Sequence, residues 1–531
     1  MTYATPTTPA DAAPRAARRH RDLRILRVAL VALLAATAMG AGASQAAGAA
    51  EGSDEAEVAA FVAEVEASLP EQMARDGVPG AAVALVVDGA VVWEAGFGRT
   101  ELEGGRPVTP RTRFPAASMS KPLAAWAVAR LVEDGEVALD DPLTAHVDRW
   151  VPPLPPEQRA HVTVERLLAH TAGLPWRYEG EPDWTAPPPP DRRLAGTGGT
   201  EAVRFAQAPG EGFRYANPGF DALELLVEER SGRPFPAFMA EEVLAPLDMG
   251  DSTFDWHEAA DKDVVPGHTL EGSLVRFVDE PGPSPAAAGL VTTATDYARF
   301  LAASTGRGPT AAGAGVLTPE TAAGLHTPRT PTAGLPHVLM ADHAALGHFV
   351  DTLEDGRRGI GHGGEQGGWL AGSYLVPETG DGFVLLMNSR RGYRLMFEQL
   401  ASWTAWGQLG EPTMSATFST VLTGVQVATA ATATMALALA LRLGADLRAG
   451  RRLRPRGAGR WTARLGDAAF ALALLALWWA LARGIVVTFL PGLAGWLAAS
   501  LHALVGVLLL AALLPRRTRI PAAAREEPPA A

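Results

Sequence analysis

Ala116-Ala117-Ser118-Met119-Ser120-Lys121-Pro122 is the stretch from which the rest of this chain can be read. A serine stands three residues before a lysine where a loop turns into an amphipathic helix. At that spacing both side chains emerge on one helical face, so an amine can reach a hydroxyl. Lysine is rare here: Lys121 and Lys262 are the only two, and arginine supplies every other basic position. A lysine kept beside a serine has a simple rationale, because lysine can give up its proton and arginine cannot. Ser118 is therefore a candidate nucleophile and Lys121 its candidate base. The plainer reading is a serine capping a helix N-terminus, and the pair alone does not decide between them.

Working outward, residues 51–69 show a helical stripe of Val58, Phe61, Val62, Val65 and Leu69, ended by Pro79-Gly80. Two apolar runs, 81–87 and 91–97, flank Asp88-Gly89-Ala90 and read as a β-hairpin. The helix opened by Ser118 has Pro122 in its first turn and Gly135 beyond its end. A short helix at 162–168 leads into the tight turn His170-Thr171-Ala172-Gly173-Leu174. Residues 175–211 are rich in Pro, Gly and charge and read as a long surface excursion. Helices are expected at 218–230, 235–247 and 295–304. Strands follow at 369–376 and 382–387 around the turn Pro377-Glu378-Thr379-Gly380-Asp381, then a helix at 391–406. The first and last of these pieces can share one antiparallel sheet with the helical middle packed on it, an α+β arrangement.

The net charge of −12 averages unlike parts. Residues 1–27 carry six Arg against two Asp, and residues 442–531 carry thirteen Arg against four acids, leaving a middle with a net charge of −25. An acidic middle between basic ends argues against nucleic acid and for a membrane. With no Cys in the chain, disulfides, a thiol nucleophile and thiolate metal sites are excluded. Residues 1–50 read as a signal peptide or signal anchor, with an arginine-rich start, an apolar run and the small-residue stretch Ser44-Gln45-Ala46-Ala47. After a domain at 51–410, three apolar segments are expected to span a membrane: 415–441, 468–490 and 493–514. The basic loop 442–467 and the tail 515–531 then fall on the cytoplasmic side and the 51–410 domain outside, by the positive-inside rule. Arg483 inside the second span either snorkels to the interface or marks a polar site.

Tyr215-Ala216-Asn217 and His362-Gly363-Gly364 follow Ser118 and Lys121 in chain order. In these motifs the chain resembles the serine β-lactamase and penicillin-binding-protein superfamily, in particular its class C-like branch with D,D-peptidase and esterase relatives. The resemblance covers about residues 55–408, and the 167–174 turn also looks like one that family carries. It implies a serine β-lactamase-like fold: an antiparallel sheet flanked by helices, with a helical subdomain. It further implies that Ser118 is acylated, Lys121 takes its proton, and Tyr215 shares that duty as phenolate or relay. Asn217 would hold the substrate amide or the lysine; as a structural residue it is an N-cap before Pro218. His362 would face the nucleophile from a strand, where related β-lactamases usually carry Lys and several peptidases and esterases carry His. Gly363 and Gly364 would admit the substrate backbone, and the N–H groups of Ser118 and Glu365 would form an oxyanion hole. No cofactor or metal is implied.

His257-Glu258-Ala259-Ala260-Asp261 lacks the second histidine of the zinc signature it otherwise approaches, and reads as a solvated polar stretch. His170 reads as a residue that fixes its turn, and Trp369 as one that packs the sheet. No Gly-x-Ser-x-Gly elbow is present, which disfavours an α/β-hydrolase. Two readings of function remain: an externally facing, membrane-anchored serine hydrolase acting on a D-alanyl peptide, a β-lactam or a small ester, and a sensor that captures a cell-wall fragment with little turnover. In either, the C-terminal helices contact lipid.

Overall fold

The computed structural model describes residues 55–180, 182–307, 315–334, 336–353, 355–409, 412–450, 461–479 and 483–514. Of these, residues 55–418 with 488–491 form one compact unit, and 419–487 with 492–514 form another.

The first unit begins with α1 (Glu55–Asp76), which buries Phe61, Val65, Leu69 and Met73. Those four recur every fourth residue, so one stripe meets the core, and each fully buried side chain contributes about 1.5–3 kcal/mol. The stripe continues to Met73, which carries the helix past the expected end near Leu69. β1 (Gly80–Val87) and β2 (Ala90–Gly98) form the hairpin. β1 is almost wholly buried, as its unbroken apolar run requires of a strand covered on both faces. The remaining strands of this sheet come late: β3 (Thr330–Pro331), β4 (His343–Ala344), β5 (Phe349–Thr352), β6 (Arg358–Gln366), β7 (Trp369–Val376) and β8 (Asp381–Met387). Together they make an antiparallel sheet in the order β2-β1-β8-β7-β6-β5-β4-β3. β1 pairs with β8 from Ala81 opposite Met387 to Val86 opposite Gly382, so the ends of the domain meet in one sheet. The fold is thus the expected β-lactamase-like α+β arrangement.

Between β2 and β3 the chain is mostly helical: α2 (Ser120–Glu133), α3 (Val164–Leu168), α4 (Pro190–Ala195), α5 (Asn217–Ser231), α6 (Pro285–Ala288) and α7 (Ala294–Thr305). α2 is buried on nearly every side, and its Trp126 packs edge-on against Phe300 of α7 at 5.2 Å. The expected helix at 235–247 is instead an α-helical stretch, Phe235–Met239, continued by a π-turn, Ala240–Leu244. α8 (Tyr393–Trp406) closes the unit, stacking Trp406 on Phe61 of α1 at 4.9 Å.

The second unit takes in most of α9 (Thr413–Arg448), α10 (Trp461–Leu477), most of α11 (Arg483–Phe489) and nearly all of α12 (Pro491–Leu513). Among the described residues, two segments are long and apolar enough to cross a membrane, Ser415–Arg448 and Pro491–Leu513. Of the expected span 468–490, α10 covers the part up to Leu477 and α11 the part from Arg483, and residues 480–482 lie outside the described residues. The side chain of Arg483, the expected leader 1–50, residues 451–460 of the expected basic loop and the expected tail 515–531 lie outside the described residues.

Candidate active site

Ser118 stands in a single 3-10 turn, Ala117–Met119, directly before α2. Ala117 ahead of it has φ +48°, a left-handed conformation that an alanine adopts only under constraint. The constraint is visible. Ser120 Oγ donates to the Ala117 carbonyl at 2.6 Å and accepts the Leu290 N–H at 2.9 Å. The Ala116 N–H reaches the Leu290 carbonyl at 2.8 Å, and the Tyr297 hydroxyl donates to the Met119 carbonyl at 3.3 Å. The second serine of the motif therefore pins the turn that presents the first, a role spacing alone did not indicate. Ser118 is half-buried, whereas Ala117, Met119, Ser120 and Lys121 are buried.

Lys121 lies one turn along the same face, as the spacing requires. Its Nζ is 3.0 Å from Ser118 Oγ, 2.9 Å from Asn217 Oδ1 and 2.7 Å from the Ala287 carbonyl oxygen. Burial holds its pKa well below that of an ordinary lysine, and the Asp221 carboxylate opposes this in part. A neutral amine has two N–H donors and one lone pair. Asn217 Oδ1 and the Ala287 carbonyl can only accept, so they take the two donors. The lone pair is then left for the Ser118 hydroxyl, which is the alignment proton abstraction needs.

Asn217 opens α5, but it is not the cap. Ala216 holds the N-cap position with extended backbone and no side-chain cap, so the Asn217 amide is free to bind Lys121. Tyr215, just upstream, is buried with its ring 4.9 Å from Lys121 Nζ. Burial pushes its pKa up, only partly countered by a hydrogen bond with Ser118, so it stays a phenol at neutral pH. His170, expected to fix its own turn, supports this segment instead: its Nδ1 accepts the Ala216 N–H, and its own carbonyl accepts the Arg214 N–H at 2.7 Å.

His362, Gly363, Gly364 and Glu365 run along β6, opposite Ser373, Gly372, Ala371 and Leu370 of β7. His362 is buried near Tyr215, with ring centroids 6.3 Å apart. Its Nδ1 lies 2.7 Å from the Gly363 carbonyl and Nε2 has no partner. Burial is the main cause that holds it well below the usual histidine range. With the proton on Nδ1, Nε2 offers a lone pair rather than a positive charge. The two glycines differ. A Cβ on Gly364 would lie 2.0 Å from the Ala116 carbonyl oxygen and 3.2 Å from the Ser118 nitrogen, whereas one on Gly363 would meet nothing nearer than the Ala371 oxygen at 3.7 Å. Gly364 thus lets β6 press against the serine turn, and Gly363 leaves open space. Glu365 turns its carboxylate to Arg390 and Tyr393. Trp369 is fully buried, and its indole N–H donates to the Val265 carbonyl at 2.8 Å.

Sequence reasoning missed two groups around this centre. His337 stacks on Tyr215 at 4.8 Å and packs beside Phe349, Phe213 and Trp176. Burial lowers its pKa to about 4. The other group is Tyr178, Arg193, Asp221, Glu224 and Ser284, joined by buried hydrogen bonds beneath Lys121. One signal could have exposed it: Asp221 and Glu224 interrupt an otherwise apolar face of α5, Phe220-Asp221-Ala222-Leu223-Glu224-Leu225-Leu226. His257, in the short helix Trp256–Asp261, is exposed, as a solvated stretch should be.

The chain is similar to known proteins in sequence and in fold. A family model described as Beta-lactamase matches residues 65–402. Esterase EstB of Burkholderia gladioli is 31% identical over 284 residues, which cover 46% of this chain and 71% of that protein. The octameric penicillin-binding protein homologue from Pyrococcus abyssi superposes with a TM-score of 0.55 at 27% identity, over 67% of this chain and 80% of that one. A penicillin-binding protein from Bacillus halodurans shares the fold with a TM-score of 0.51 at 22% identity, over 61% of this chain and 96% of that one.

Proposed function

The chain belongs to the Beta-lactamase family and is a serine hydrolase of the β-lactamase and esterase type, and we propose that it acts through an acyl-enzyme at Ser118. The observation that carries this is the set of three contacts made by Lys121 Nζ, which leaves its lone pair for the Ser118 hydroxyl. In the first step Ser118 Oγ bonds to the substrate carbonyl carbon as Lys121 takes the hydroxyl proton. The backbone N–H groups of Ser118 and Glu365 receive the oxyanion, the latter on the strand that Gly364 brings against the serine turn. Collapse expels the alcohol or amine, which takes a proton through the Tyr215 phenol. Water then cleaves the acyl-serine bond by the same groups in reverse.

Among the candidate substrates, a small ester fits best. A β-lactam or a D-alanyl peptide carries a carboxylate near the scissile bond, and neutral His362 gives it no countercharge. An uncharged ester needs none, and EstB is by its name an esterase. α9 and α12 support anchoring in a membrane. The arginines that follow each of them favour a multi-pass arrangement with the catalytic unit outside the cytoplasm, and with α10 and α11 as the remaining span.

The test is labelling of the full chain in detergent with a fluorophosphonate and with a fluorescent penicillin, using Ser118→Ala as control. The expected result is an adduct at Ser118 with the fluorophosphonate, and turnover of short esters faster than of a penicillin. Absence of any adduct with either probe would refute the acyl-enzyme.

A further inference from the structure

Beneath Lys121 lies a buried cluster that the acyl transfer itself does not use. Asp221, fully buried on α5, accepts from Arg193 at 3.0 Å and from the hydroxyls of Tyr178 and Ser284. Glu224, one turn on, accepts from the same Arg193 nitrogen at 2.8 Å and from the Ala286 N–H at 3.2 Å. Arg193 also donates to the Pro188 carbonyl and is almost wholly buried.

Three parts of the chain converge on these two acids. Tyr178 and Arg193 belong to the excursion 175–211, whose Trp176 carbonyl also receives the Asn217 N–H at 2.9 Å. Asp221 and Glu224 belong to the helix that Asn217 opens. Ser284 and Ala286 flank and enter α6, the short helix whose Ala287 carbonyl receives a Lys121 N–H. Both non-serine acceptors of the lysine amine are therefore held by one charged network, and that network also ties down the loop.

We propose that Asp221 is a positioning residue for Lys121, fixing the Ala287 carbonyl through Ser284 and coupling the amine to the excursion 175–211 through Tyr178 and Arg193. The proposal deepens the acyl-enzyme reading and rests on it for its kinetic arm. The charged and titratable groups facing Lys121 are Asp221 from α5, Tyr215 and His170 from the segments before it, His337, and His362 from β6. Those facing Asp221 are Arg193, Tyr178 and Glu224. Burial raises Glu224 towards its neutral form, so Asp221 is the acid whose charge opposes the burial of the amine.

The scarcity of lysine makes the test direct. In the full chain labelled with [13Cε]lysine only Lys121 and Lys262 give signals. Lys262, paired with Glu258 near the surface, is the reference. Asp221→Asn should move the Lys121 titration downward by about one pH unit, because an opposing charge is removed. The acid limb of kcat/KM for a short ester should move with it. Ser284→Ala, which keeps the charge but loosens α6, should lower kcat several-fold with KM kept. A fall in kcat/KM equal at every pH with the Lys121 titration unmoved would overturn the proposal, as would an unchanged kcat in Ser284→Ala. The titration requires no turnover, so it decides the role of Asp221 even if Ser118 fails to label and the acyl-enzyme reading falls.

Discussion

His170 receives the backbone N–H of Ala216 on Nδ1 at 3.1 Å, and its ring centroid lies 4.4 Å from that of Tyr215. An Nδ1 that accepts must carry its proton on Nε2, so the ring is neutral, as its burial also favours. The turn after α3 thereby sets both the backbone and the ring of the segment that delivers Tyr215 and Asn217. His170→Ala should cost about 1–3 kcal/mol, since a buried N–H loses its acceptor. The same variant should slow acylation more than it weakens substrate binding. Thermal melting and single-turnover labelling read the two effects, and a variant that melts and labels like the parent would contradict the assignment.

Lys121→Arg keeps a positive charge and loses the ability to act as a base. Lys121→Met keeps the length and loses the amine. Both should reduce the rate of Ser118 acylation by about 10²–10⁴-fold, the usual worth of a positioned general base. Equal labelling rates in the parent and in Lys121→Met would assign proton abstraction to another group.

The two glycines of β6 should respond differently to the same methyl group. In Gly364→Ala the added carbon falls on the Ala116 carbonyl, so the strand must withdraw from the serine turn and the oxyanion donors part. Acylation should fall at least about 100-fold, the cost of one lost oxyanion donor. Gly363→Ala meets only ordinary contact and should fold and melt like the parent. Any loss it shows should appear in KM for bulky substrates. Similar kinetics for the two variants would contradict this division.

Stability should fall in mild acid. His337 and His348 both have pKa values lowered by burial to about 4, against about 6.5 in an unfolded chain. Above pH 6.5 neither state protonates them and their neutral burial costs nothing. Below it the unfolded state binds protons that the folded state refuses, so stability declines, and the loss is complete near pH 4. Asp351, raised by burial to about 6, acts in the opposite sense and softens the slope. His337→Phe keeps a ring against Tyr215 and removes one titration. It should reduce the acid-induced loss by on the order of 3 kcal/mol, as read from urea melts at pH 7.5 and pH 4.5. Parallel curves for parent and variant would exclude His337 from the effect.

The parts of the site legible in the sequence were those written in local spacing. Ser118 and Lys121 meet because three residues are almost one helical turn, and the hairpin at 88–90 and the apolar run of β1 place the sheet. Asn217 was ambiguous because capping and lysine binding ask for the same residue type; the extended backbone of Ala216 decides it. Arg193 was invisible for a different reason. Its acids lie 28 and 31 residues away, and it stands in an excursion without periodicity. His337 sits in a similar stretch, and only tertiary packing brings it to Tyr215.

β1 and β8 are neighbours in the sheet although one begins at Gly80 and the other ends at Met387. During synthesis, β1 must therefore wait for nearly the whole catalytic unit to leave the ribosome before its partner exists. Contacts of such long sequence separation make folding slow. α9 begins at Thr413, so once β8 and then α8 have emerged, the first long apolar helix follows. On the proposed membrane anchoring, maturation of the hydrolase and delivery of that helix to the lipid would fall in the same interval of the chain's birth, and the nascent domain spends most of its translation with an unpaired strand edge.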